Sequence, residues 1–174
     1  MTGRASGGRE HVISWEDPGI LAREGLSMSG LDCMNALIEG RLPPPPACSM
    51  MNFRLTEAAE GHAAGVMEPA EYHYNPFGGV HGGVLVTLMD TVMGCAVHTM
   101  LAAGVLYSTL EVKSNFVRQV SVRSGTLRCL ASVIHLGRRT ATAECRVTDA
   151  SGDLCAHATT TCLILRPPNS GNQV

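Results

Sequence analysis

A chain of 174 residues fits one domain with extensions and leaves no room for a second full domain. A hydrophobic share of 45% and a charged share of 16% exclude global disorder, and 13 basic against 15 acidic side chains give no broad electrostatic footprint for nucleic acid. The seven cysteines are an odd number without a C-x-x-C pair or metal-ligand spacing, so they read as reduced thiols of a cytoplasmic protein with no metal site.

Residues 1–25 are rich in Gly, Arg and Ser, lack periodicity and lack the apolar run of a secretory signal; they read as a flexible N-terminal arm. Residues 26–48 hold a helix and a connector. Ser29 is the N-cap candidate, Leu31, Met34, Leu37 and Ile38 follow at helical spacing, and Gly40 is placed to stop the helix. Pro43 to Pro46 then enforce an extended, stiff spacer. The folded domain occupies residues 49–166, with a short tail over 167–174.

Within that domain, Met51 to Leu55 and Ala63 to Glu68 read as strands joined near Glu60-Gly61, followed by a Gly/Pro loop over Asn75 to Gly79. The next element is a helix from about Gly82 to Leu101. Its apolar residues point in every direction, which marks a buried helix. The segment Val84 to Leu106 has the length of a membrane span, but Asp90, Thr91, Gly94 and His98 make a poor lipid-facing surface, so no span is expected.

Beyond Gly104 the period changes to two. Leu110, Val112, Ser114 and Phe116 alternate with Thr109, Glu111, Lys113 and Asn115; later, Ala141, Ala143, Cys145 and Val147 alternate with polar neighbours. Leu127 to Leu136 and Leu154 to Leu165 complete four longer strands. The short connections around Ser121 to Gly125, Leu136 to Arg138 and Asp149 to Asp153 are of the hairpin kind and imply antiparallel pairing. The sum is an α+β fold in which an antiparallel sheet of about six strands curls around one long helix, with an extra N-terminal helix. Such an arrangement resembles the hotdog fold.

The chemistry concentrates in Asn75-Pro76-Phe77-Gly78-Gly79-Val80-His81-Gly82-Gly83 and the helix that follows. Gly82 and Gly83 leave backbone N–H groups open at a helix start, where the dipole favours negative charge, as an oxyanion site requires. Asp90 lies two turns further on, beside the small residues Gly83, Thr87, Thr91 and Gly94, which leave space for a ligand. A carboxylate in so apolar a segment has no neighbouring cation to offset its desolvation, which points to a chemical role: attack on a carbonyl or activation of water. His81 reads equally well as a group that fixes the turn and as one that moves a proton. Arg138 and Arg139 follow Gly137 in a turn and read as solvated cations, with a phosphate clamp as the alternative.

The pattern Asn75-x-x-Gly78-x-x-His81-Gly82-Gly83, with Asp90 nine residues after His81, resembles the motif of PaaI-type (phenylacetate-pathway) hotdog thioesterases. Leu42-Pro43-Pro44-Pro45-Pro46, Thr109-Leu110-Glu111-Val112, Asn115-Phe116-Val117-Arg118, Gly137-Arg138-Arg139 and Ala156-His157-Ala158-Thr159 are similar to further blocks of that family, and the likeness covers about residues 28–166. The chain departs from the family at Gln119, where a proline commonly stands.

The resemblance implies hydrolysis of a small or medium acyl-CoA to free acid and coenzyme A, with coenzyme A as part of the substrate and no other cofactor. It implies Asp90 as general base or nucleophile and Gly82 as the oxyanion N–H. Asn75 and His81 would shape the catalytic loop, and Thr109, or Ser108 beside it, would help hold the attacking water. Gly83 and Thr91 would border the substrate, and Gly137, Arg138 and Arg139 would meet coenzyme A. In that family the site lies between subunits, which implies a homodimer or a dimer of dimers, with no membrane partner. Two rival readings are an acyl-CoA sensor without turnover and a hotdog dehydratase or hydratase.

Overall fold

The computed structural model describes residues 7–167. Its elements are α1 (Pro18–Gly25), α2 (Gly30–Ile38), α3 (Pro46–Met50), β1 (Phe53–Ala59), β2 (His62–Met67), α4 (Gly82–His98), β3 (Leu106–Phe116), β4 (Leu127–Leu136), β5 (Thr140–Thr148) and β6 (Leu154–Leu165). The six strands form one antiparallel sheet in the order β1-β2-β4-β5-β6-β3. This is the α+β hotdog architecture: a sheet wrapped on the long helix α4.

Side-chain size explains the wrapping. The sheet presents small groups to the helix, among them Ala131, Ala141, Ala143, Cys145, Ala156 and Ala158, all buried. The helix supplies the bulk through Leu88, Met89 and Met93, which are completely covered. Large knobs meet small sockets, so the layers close tightly, and each such side chain contributes about 1.5–3 kcal/mol by leaving water. No helix among the described residues is long and apolar enough to cross a membrane.

The local signals act as their chemistry dictates. Ser29 Oγ accepts from Asp32 N at 3.2 Å and starts α2, and Gly40 takes a φ of 73° just past its end. Thr99 Oγ1 accepts from Gly61 N at 2.9 Å and donates to Ala96 O, tying the β1–β2 turn to the last turn of α4.

Several expectations need correction. The segment read as an aperiodic arm contains α1, whose start is set by Asp17, accepting from Gly19 N at 2.8 Å, and by Pro18 in the first helical position. The proline spacer is shorter than expected because Pro46 opens α3. Helix α4 stops at His98 rather than near Leu101. The connection after β3 is not a hairpin: β3 pairs with β6, and the chain crosses to β4 on the far side of β5. Residues 1–6 of the arm and 168–174 of the tail lie outside the described residues.

The alternation expected for β3 is also interrupted. The β3–β6 register shifts between Thr109 and Glu111, so Leu110 is an extra, unpaired residue and stands 58% exposed instead of facing the helix. Thr109 and Val112 therefore both point inward. The carbonyl of Glu111 at this bulge accepts from the buried Thr160 Oγ1 at 2.7 Å.

Candidate active site

The loop before α4 is built on Asn75. Its Oδ1 accepts from Phe77 N at 2.9 Å and from Gly79 N at 3.4 Å, while its own N–H donates to Gly79 O at 2.7 Å. Gly78 has a φ of 79°, a conformation that a side chain would strain. Val80 N donates to Val120 O at 2.8 Å and His81 N to His73 O at 2.8 Å, so both neighbouring segments hold the loop. Gln119, at the departure from the family pattern, lies against Gly79: a Cβ there would meet Gln119 Nε2 at 2.7 Å. β3 has already ended at Phe116.

His81 is the N-cap of α4. Its Nδ1 accepts from Gly83 N at 2.9 Å, and its carbonyl accepts from Val84 N at 2.9 Å. The expectation that Gly82 and Gly83 both offer free N–H groups is thus corrected, since the one on Gly83 is taken by His81. The Gly82 N–H has no acceptor among the described residues, and Gly82 borders a surface cleft with Asn75 and Phe116. The Phe116 ring rests on Gly82, where a Cβ would come within 3.1 Å of Cζ.

Asp90 is half-buried in the middle of α4. Thr109 Oγ1 donates to Asp90 Oδ1 at 2.9 Å, which the bulge at Leu110 makes possible by turning Thr109 inward. Oδ2 has no partner among the described residues, and none of their ion pairs involves Asp90. One oxygen is held and the other is free. Of the two hydroxyls weighed for this role, Thr109 makes the contact, whereas Ser108 stands exposed on the other side of the strand.

One turn away, Gly94 receives Tyr107: a Cβ at Gly94 would lie 2.8 Å from the ring carbons Cε2 and Cζ. Burial raises the Tyr107 pKa well above its ordinary value, and burial likewise pushes the Cys95 thiol up to about 12, with nearby thiols and Asp90 adding to it. Both groups remain neutral at physiological pH. Sequence reasoning missed Tyr107 and Cys95 because their neighbours come from other elements; the run of small residues along α4 was the only local signal. Thr91 donates to Thr87 O at 2.8 Å, so its hydroxyl is satisfied within the helix.

Gly137, Arg138 and Arg139 form the β4–β5 turn, with Gly137 N donating to Thr140 O at 2.8 Å. Thr140 pairs with Leu163 and Leu163 with Ser108, so this turn lies at the sheet end where β3 begins. Both arginines are exposed and form no ion pair among the described residues. No group of three or more His, Cys, Asp or Glu side chains among those residues is placed to hold a metal.

Comparison with known proteins gives the family and the fold. Residues 77–156, from the loop into β6, match the family model of the thioesterase superfamily. A conserved protein from Pseudomonas aeruginosa has a solved structure that is 30% identical, with a TM-score of 0.66 over 70% of this chain and 95% of that one. The chain belongs to the thioesterase superfamily. A phenylacetic acid degradation-related protein from Ralstonia eutropha is 26% identical, with a TM-score of 0.69 over 75% of this chain and 98% of that one. Among curated proteins, the 1,4-dihydroxy-2-naphthoyl-CoA hydrolase of Escherichia coli K12 is 27% identical over 135 residues, which are 78% of this chain and 94% of the relative. This thioesterase-superfamily enzyme therefore has the fold and the hydrolase class of its relatives, while α1 to α3 fall outside the stretch that the family model matches.

Proposed function

We propose that the protein hydrolyses acyl-CoA thioesters to free acid and coenzyme A, and that each active site combines Asp90 of one subunit with Gly82 of another. The observation that carries this reading is the placement on one helix of two groups without a partner among the described residues, Asp90 Oδ2 and the Gly82 N–H. Eight residues of helix separate them by roughly 12 Å along the axis. One thioester carbonyl does not span that distance, which supports a site that draws the oxyanion donor and the carboxylate from different copies.

In such a pair, the carbonyl oxygen accepts from the Gly82 N–H, an interaction that strengthens as the oxygen becomes negative. Asp90 either removes a proton from water, which then attacks the carbonyl carbon, or attacks that carbon itself to give an anhydride that water opens. In both routes the C–S bond breaks and the thiolate of coenzyme A leaves. The hydroxyl of Thr109 fixes Oδ1 and leaves Oδ2 as the reacting oxygen. Arg138 and Arg139, exposed and without an ion pair among the described residues, supply guanidinium groups for the phosphates of coenzyme A. The acyl-CoA named for the Escherichia coli relative supports this substrate class. Edge strand β3 and the residue after it, with Leu110, Phe116 and Val117 each at least half exposed, form the surface that suits the second copy. The seven free thiols fit a reducing cytoplasm.

Complementation between subunits tests the reading. Asp90→Asn and Gly82→Pro proteins are each expected to release little thiol from acyl-CoA, since proline is tolerated at the first helical position and removes the Gly82 N–H. A refolded mixture is expected to recover about a quarter of wild-type activity, since half of the dimers are mixed and each mixed dimer keeps one intact site. A mixture as inactive as its components would sink the shared site.

A further inference from the structure

The uncovered stripe of α4 runs from Thr87 through Asp90 and Thr91 to Cys95 and His98, all half-buried. Beside it lie two cavities. One, of about 270 Å³, sits between this stripe, Tyr107 and the N-terminal cap formed by Leu21, Met28 and Met34. The other, of about 320 Å³, sits between the stripe and Leu42, Phe53 and Leu55. Leu37, Pro45, Thr91 and Cys95 line both. Thr91 and Cys95 belong to the helix, so Leu37 and Pro45 form the wall that the cap inserts between the two spaces.

The cap is anchored rather than loosely laid. Gly30 N donates to Leu101 O at 2.9 Å, Gly104 N donates to Leu26 O at 2.9 Å, and Gly30 packs so closely on the His98 carbonyl that no Cβ fits. Cys33, Met34, Ala36 and Leu42 make a small apolar core of their own, against which Leu37 and Cys95 pack. Glu16, Arg41 and Arg54 join the lining beside Phe53, whereas the lining of the cavity beside Tyr107 is almost wholly apolar, and burial lowers the pKa of His98 and keeps its ring neutral. Such a space favours hydrocarbon over charged or strongly hydrated groups.

Resting on the hydrolase reading above, we propose that the two cavities are lobes of one acyl pocket, entered at Thr91, which lines both and directly follows Asp90 in the helix. Its occupant is a medium-sized, wholly apolar acyl group, ring or chain, and Leu37 sets how far that group reaches. An apolar cavity of roughly 150 Å³ accommodates benzene, so the lobe beside Tyr107 has room for a substituted ring or a chain of similar bulk, far beyond an acetyl group. The lobe beside Phe53 lies behind Leu37. Shortening this side chain joins the lobes, and enlarging it separates them further.

The test compares acetyl-, benzoyl-, octanoyl- and hexadecanoyl-CoA with full-length wild type, Leu37→Ala and Leu37→Phe. Wild type is expected to show kcat/KM for octanoyl- or benzoyl-CoA at least about tenfold above acetyl-CoA, the better of the two telling chain from ring. In Leu37→Ala the ratio of hexadecanoyl to octanoyl kcat/KM is expected to rise about tenfold or more, and in Leu37→Phe to fall. Calorimetric titration of the same four ligands into Asp90→Asn, with and without each Leu37 change, reads the pocket without catalysis. Acyl-dependent affinities that move with Leu37 support the pocket even if no thiol is released, a result that would defeat only the hydrolase reading. Ratios and affinities indifferent to both Leu37 variants overturn the proposal.

Discussion

The hydroxyl of Thr109 reaches from an edge strand to the carboxylate of Asp90, at the centre of the buried helix, and binds one of its two oxygens at 2.9 Å. The contact joins residues 19 positions apart in the chain and sets which face of the carboxylate remains free.

Asp90→Asn is expected to lower kcat by about 10²–10⁴ while apparent KM changes little, because the group acts mainly in the transition state. The amide oxygen of Asn can still accept from Thr109, so the fold should be kept. Steady-state thiol release and a thermal melt check both halves, and an unaltered kcat would end the assignment.

Thr109→Val keeps the shape and removes the donor. A hydrogen bond to a charged group is worth about 1.5–3 kcal/mol, so kcat should drop by about 10- to 100-fold. Thr109→Ser should stay near wild type. A loss in Thr109→Ser with Thr109→Val near wild type would show that the methyl group, not the hydroxyl, matters.

Gly94→Ala places a methyl group against the Tyr107 ring, within 2.8 Å of its carbons. Gly94 is buried and Tyr107 half-buried, so the clash should destabilise the protein by about 1–3 kcal/mol. Urea unfolding measures it. In the background of Tyr107→Leu the same substitution should cost much less, and full additivity would refute the contact.

Stability should also depend on pH through His73. This residue is buried, its Nδ1 accepts from Ala70 N at 3.0 Å and its Nε2 has no partner among the described residues. Burial first, and the nearby His11 second, lower its pKa below the ordinary value. The unfolded chain therefore takes up the proton more readily. The stabilising contribution is complete above the unfolded value of about 6.5 and is lost as pH falls through the lower folded value. Melting temperature should decline from about pH 6.5 down to the folded value more steeply in wild type than in His73→Asn. Parallel profiles would count against it.

The sequence was informative where a decision is local. Turn residues bracket β4 and β6, and the glycines after His81 mark the start of α4, because capping and tight turns depend on a few adjacent groups. Pairing of β3 with β6 was not legible, since no short connection joins them. The bulge escaped for a different reason: Leu110 is apolar, so it satisfies the alternating template on paper while standing outside the ladder in space. Helix α1 did carry a signal in Asp17-Pro18, but it was masked by the glycines and arginines before it. Within the site, Asp90 and Gly82 were readable as types of residue and a turn-fixing His81 was one of two equal readings, whereas its choice of the Gly83 N–H depends on a side-chain direction that no spacing reveals.

A rigid rod that carries the acid at its middle and the amide donor at its tip is inert by itself under the proposed mechanism. Its turnover per molecule then depends on how often two such rods meet, and serial dilution should make the enzyme fade faster than its concentration falls.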